Sequence, residues 1–115
     1  MVGTENISYQ SLPPLDRALL FQSIIQKGTK ASEIARSIGK SLAYVSNSLR
    51  LLRLPPIVQE GLMSKTISEG HARALVSLTD PEYILTIYRE IIVSNASVRQ
   101  AEMLVRKMVE RENKP

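Results

Sequence analysis

The chain has 115 residues, the size of one ordinary domain, with 43% hydrophobic and only 4% aromatic residues, no cysteine and a net charge of +4. These totals exclude disulfides and thiolate metal sites and fit a reducing setting, and they require a core of Leu, Ile, Val, Ala and Met, the usual stock of packed amphipathic helices. With apolar runs of four residues at most and no basic-then-apolar pattern in Met1-Val2-Gly3-Thr4-Glu5, neither a membrane span nor a signal peptide is expected, and the expected location is cytoplasmic.

Pro13 and Pro14 precede the first periodic segment, Leu15 to Lys27, where Leu15, Ala18, Leu19, Ile25 and one of Phe21 or Gln22 fall near helical spacing. Proline suits a first helical turn, where its missing N–H is not needed, and Gly28 suits the stop. A second helix is expected over roughly Lys30 to Ile38, capped by Thr29 or Ser32, with Ile34, Ala35 and Ile38 on one face and Gly39 at its end. A third starts from the N-cap Ser41 and runs to Leu54, with Val45, Leu49 and Leu52 on one side and Ser46, Asn47 and Arg50 off it. Leu54-Pro55-Pro56 breaks it, because a residue before proline disfavours helix. A short helix over about Pro56 to Met63 follows, and then one over about Glu69 to Leu78 capped by Ser68. Asp80-Pro81-Glu82 places a cap, a first-position proline and an acid in sequence, which opens a helix reaching about Val93. Ser97-Val98-Arg99-Gln100 has the capping-box pattern and opens a last helix to about Arg111, with Val98, Ala101, Leu104, Val105 and Met108 on one face.

No convincing β-alternation interrupts this series. The fold class is therefore all-α, a helix-turn-helix domain of about seven short helices. The expected organisation is a junction segment over 1–13, a core over 14–79 with its helix-turn-helix at 31–53, and a C-terminal helical subdomain over 80–115.

Charge singles out the same region. Residues 27–53 carry six bases (Lys27, Lys30, Arg36, Lys40, Arg50, Arg53) and one acid (Glu33), a surplus that exceeds the net charge of the whole chain. A localised basic patch is the footprint expected for a phosphate backbone, although a solvated helix face gives the same count. Within this window two short helices meet at a tight turn. Small Ala35 permits close approach, Gly39 supplies the positive φ that a sharp turn often needs, and Ile34, Ile38, Val45 and Leu49 set the crossing. That is the spacing of a helix-turn-helix, whose second helix enters the major groove by its N-terminal turns. Ser41, Tyr44, Ser46, Asn47 and Ser48 offer hydrogen bonds to base edges or phosphates, and Lys40 and Arg50 can neutralise phosphates.

Other signals carry less. Gly39-Lys40-Ser41 resembles the end of a phosphate-binding loop, but Ile34 stands where that loop needs glycine and no strand precedes it. His71 is the only histidine, so no zinc site or triad can be built on histidine pairs, and a capping or phosphate-contacting role is expected of it. Glu110-Arg111-Glu112 reads as a solvated helix end, and Met63, Met103 and Met108 as core or interface filler. With Glu33, Glu60 and Glu69 isolated, no enzyme, metal or cofactor is expected.

Residues 30–54, above all Gly39-Lys40-Ser41 through Asn47-Ser48-Leu49-Arg50-Leu51-Leu52-Arg53-Leu54-Pro55, resemble the central DNA-binding domain of the ParB/Spo0J chromosome- and plasmid-partition proteins. Ile67-Ser68-Glu69-Gly70-His71-Ala72-Arg73-Ala74-Leu75 is similar to that family's following segment, and Glu5-Asn6-Ile7 before a Pro-led helix to its preceding junction. The resemblance implies sequence-specific binding of double-stranded DNA at a palindromic, centromere-like site of the parS type. It further implies segregation with a ParA-type ATPase acting on the full-length protein, a homodimer on DNA, no membrane partner, and association with the nucleoid or a plasmid. It assigns Ser41, Leu42, Ala43, Tyr44, Ser46, Asn47 and Ser48 to the recognition helix, Lys40, Arg50 and Arg53 to phosphates or the flanks of the site, and Gly70, His71 and Arg73 to a second helix start against the DNA. Leu42 stands where the family often has arginine. Arginine can read guanine, whereas leucine offers only apolar contact, for example to a thymine methyl, so the expected target shifts to a plasmid-type or divergent site. The family's nucleotide-binding N-terminal domain with its GERR-type motif and a clear C-terminal dimerisation domain are not recognisable, so CTP binding, clamp sliding and ParA stimulation are not assigned to these residues. Two alternatives stand beside partition: a KorB-like transcriptional repressor, and a protein-interaction module using the helices of 80–111.

Overall fold

A computed structural model describes residues 9–114. Glu5-Asn6-Ile7 lies outside the described residues. The described chain falls into two units, one up to Leu52 and one from Arg53 onward.

The first unit holds α1 (Pro14–Gln26), α2 (Ala31–Ile38) and α3 (Leu42–Arg50), the last running into a 3₁₀ turn over Leu51–Arg53. Helices of eight or nine residues are marginal alone, so burial rather than propensity holds them. Tyr9, Phe21, Ile34, Ala35 and Val45 form the core, with Leu20, Ile24, Ile25, Ile38 and Leu49 packed at its margin. Each fully buried large apolar side chain contributes about 1.5–3 kcal/mol. Both α1 and α2 pack on α3. On α1 the face is settled by Phe21, which is buried; Gln22 and Leu19 both point to solvent.

Neither Thr29 nor Ser32 caps α2. The Glu33 carboxylate accepts from the Lys30 backbone N–H at 2.8 Å, so the third residue of the helix satisfies its entry by itself. The α-helical part of α3 stops at Arg50 rather than Leu54. Tightening into a 3₁₀ turn changes the rotation per residue, and Leu51 becomes fully buried while Leu52 is half-buried.

The second unit holds α4 (Pro56–Met63), α5 (Glu69–Leu75), α6 (Pro81–Ser94) and α7 (Val98–Glu112). The expected start signals hold. Asp80 Oδ1 accepts from the Glu82 N–H at 2.9 Å, and Ser97 and Gln100 form a reciprocal capping box at 2.8 and 3.1 Å. The main packing partner of α5 is α7. The boundary between the two units thus falls between Leu52 and Arg53, and α5 buries Ala72 and Leu75 in the same unit as α6 and α7. Two minor readings also change. Glu112 is no solvated end: its Oε2 accepts from the backbone N–H groups of Thr79 and Asp80 at 3.0 and 2.8 Å, tying the end of α7 to the entry of α6. Met63 and Met103 are exposed rather than core filler.

Candidate nucleic-acid interface

The helix-turn-helix sits wholly in the first unit. Gly39 closes α2 with φ +70°, a conformation that L side chains resist, and the Lys40 N–H then bonds back to Ala35 O at 2.9 Å. This reverses the chain within three residues. Ser41 opens α3 from an extended conformation, its Oγ accepting the Tyr44 N–H at 3.1 Å. The hydroxyl proton remains to serve another acceptor, and the first N–H groups of α3 have no intrahelical partner, so an anion is favoured at this end.

Along α3 the side chains sort by helical period. Tyr44, Val45, Ser48 and Leu49 turn inward; Leu42 and Ala43 are exposed, and Ser46, Asn47 and Arg50 are half-buried on the outward side. Leu42 stands 51% exposed in the first turn. Lys40 is exposed directly before it. Lys40, Ser41, Leu42, Ala43, Ser46, Asn47 and Arg50 therefore form one surface, of which the nine-residue α3 supplies about 13 Å at 1.5 Å per residue.

Two residues expected on that surface are not on it. Ser48 is 4% exposed and its Oγ donates to Tyr44 O at 3.0 Å, so its hydrogen-bonding capacity is used within the helix. Tyr44 packs its ring edge-on against Tyr9 and Phe21, at centroid distances of 6.5 and 6.4 Å. Its Oη accepts from Arg17 Nη1 at 3.1 Å, and Lys40 Nζ lies 5.3 Å from the ring centroid. Tyr44 lies four residues before buried Ser48 and seven before buried Leu51, so the helical period sets it on the inward side. Arg17 itself is a residue that sequence reasoning passed over. Its signal was a lone base one turn before Phe21 on the apolar face of α1.

Arg53, Gly70, His71 and Arg73 belong to the second unit. Arg53 and Arg73 are exposed. Both ring nitrogens of His71 have partners within the domain. Its Nδ1 accepts the Ser68 N–H at 3.1 Å, while Nε2 lies 2.8 Å from Ala96 O. These partners select the neutral tautomer with hydrogen on Nε2, and they make His71 the third-position member of a capping box with Ser68. Gly70 also serves packing: a Cβ there would sit 2.9 Å from Val98 Cγ2, so glycine permits α5 to approach α7.

Among the described residues, no group of three or more His, Cys, Asp or Glu side chains could hold a metal ion, and no helix is long and apolar enough to cross a membrane.

The family model of the ParB HTH domain matches residues 10–110. A probable chromosome-partitioning protein ParB from Treponema pallidum (strain Nichols) is 42% identical over 102 residues, which is 88% of this chain and 32% of that protein. A nucleoid occlusion protein from Geobacillus sp. (strain WCH70) is 39% identical over 110 residues, 95% of this chain and 39% of that protein. The chain thus spans well under half the length of these curated relatives. Among solved structures, the DNA-binding domain of the chromosome-partitioning protein ParB complexed to the centromeric parS site is similar at a TM-score of 0.80 and 38% identity, over 90% of this chain and 84% of that one. With its turn at Gly39, its capped α3 and a match running through both units, the chain belongs to the ParB HTH domain family.

Proposed function

We propose that this chain binds double-stranded DNA sequence-specifically at a palindromic, centromere-like site of the parS type, as the DNA-reading part of a chromosome or plasmid partition protein. The observation that carries the reading is the likeness, over 90% of the chain at 38% identity, to a ParB domain solved on parS DNA, together with an outward α3 surface suited to the task. Leu42, Ala43, Ser46 and Asn47 face the base edges, and Asn47 is the side chain able to make a paired hydrogen bond to adenine. Lys40, Ser41 and Arg50 hold phosphates on either side. In the second unit Arg53 and Arg73 add phosphate contacts, while Gly70 and His71 only shape the start of α5. A palindromic target calls for two copies of the domain on the DNA. The ParA-type ATPase belongs to the full-length protein, which would be associated with the nucleoid or a plasmid. The domain acts by binding and carries no reaction of its own.

Fluorescence anisotropy with inverted-repeat duplexes tests this. Binding should favour the repeat over a scrambled duplex and weaken linearly with the logarithm of salt concentration. Affinity indifferent to sequence, or to salt, sinks the proposal. A second reading follows from the nucleoid occlusion relatives, which match at nearly the same identity as the partition protein. Selecting bound duplexes from a random pool separates the two, because it returns the site this chain reads.

A further inference from the structure

Arg17 lies on the buried face of α1, 8% exposed. Taking a guanidinium out of water carries a penalty that an aliphatic side chain in the same place would avoid. One of its interactions connects it to α3. Nη1 donates to Tyr44 Oη at 3.1 Å, and Arg17 Cζ lies 5.9 Å from the Tyr44 ring centroid. Tyr44 is the third residue of α3, and Lys40, two residues before that helix, sets its ammonium 5.3 Å from the same ring. A residue inside α1 is therefore tied to the first turn of the recognition helix and, through one ring, to the lysine preceding it.

We propose that Arg17 is a positioning residue for DNA recognition: by holding Tyr44 it fixes the attitude of the first turn of α3, so that Leu42, Ala43, Ser46 and Asn47 meet base edges in register. This rests on the reading of the chain as a sequence-specific DNA-binding domain. A helix of nine residues cannot fix its own direction, and base readout tolerates displacements of only about 0.5 Å. Phosphate attraction is far more forgiving. Loss of the Arg17–Tyr44 bond thus affects discrimination between sequences, and it leaves general affinity for DNA in place.

The test uses a duplex recovered with this chain by selection from a random pool, and a scrambled duplex of the same composition. Anisotropy titrations compare the parent chain with Tyr44→Phe, Arg17→Met and the double variant. Tyr44→Phe keeps the ring and removes only the hydroxyl. Each single change should weaken binding to the selected duplex roughly tenfold, the scale of one hydrogen bond to a charged group. Binding to the scrambled duplex should change less than about twofold, with the salt slope unaltered, since no phosphate contact is removed. The double variant should lose no more than the worse single variant.

The proposal is overturned if Tyr44→Phe binds the selected duplex like the parent, if both duplexes lose alike, or if the two losses multiply in the double variant. Should Arg17→Met fail to fold by circular dichroism, Tyr44→Phe decides the matter through the first two outcomes. A selection that returns no duplex preferred by the parent chain defeats the DNA-recognition reading itself. A clear preference that Tyr44→Phe leaves intact defeats only the role of Arg17.

Discussion

Asn47 and Lys40 sit a helical turn or two apart on one surface, yet their substitutions should behave differently. Asn47→Ala removes a side chain able to read a base. It should weaken binding to the selected duplex by about 1–3 kcal/mol while leaving a random duplex nearly unaffected. Equal losses on both in a titration would deny it that role. If Lys40 holds a phosphate as proposed, Lys40→Ala should lower binding to every sequence and shrink the slope of log affinity against log salt by about one. Leu42, half exposed in the first turn, has no polar atom with which to read guanine. Leu42→Arg should move the preferred site toward guanine at the facing position, visible by repeating the random-pool selection. Ser48 belongs with the core and not with this group. The helical period sets it three residues after Val45 and four before Leu52, yet its residue type offers it equally to DNA, where the sequence alone placed it. The bond from its hydroxyl to Tyr44 O was not legible, because Ser can equally point outward from a helix.

At the scale of elements, the turn between α2 and α3 depends on Gly39. Nothing lies within 4 Å of a Cβ placed there, so the cost of a side chain is conformational alone. Gly39→Ala should destabilise the chain by about 1 kcal/mol, and Gly39→Asn by less, because Asn visits the left-handed region more readily. Thermal melts of the two variants check the order; an alanine variant melting with the parent would contradict it. Helix starts were legible wherever a cap and its partner lie three residues apart, as at Ser97 and Gln100. The cap of α2 was not legible because its N-cap is Lys30, whose side chain has no oxygen to cap with, so Glu33 alone marks the entry.

For the whole molecule, the division between Leu52 and Arg53 alters what truncation can reveal. Deleting residues 80–115 removes α6 and α7 and strips the packing from Ala72 and Leu75 on α5. Amide hydrogen exchange should then lose protection over residues 56–75 while residues 14–50 keep theirs. Retained protection over 56–75 would mean that α4 and α5 need no cover from the later helices. The cause lies at Gly70 and His71. The first lets α5 approach Val98 and the second reaches the carbonyl of Ala96, and both partners lie more than twenty residues downstream.

The sequence by itself determined the all-helical class, the positions of the helices, the helix-turn-helix and the basic window around it. These follow from rules that act within four residues, such as apolar period, caps, prolines and the glycine turn. Only the tertiary structure decided which polar side chains of α3 face outward, that Tyr44 and Arg17 meet beneath it, and that His71 braces α5. Those outcomes depend on contacts between residues 25 to 27 positions apart, where a polar side chain takes whichever partner the packed helices bring to it.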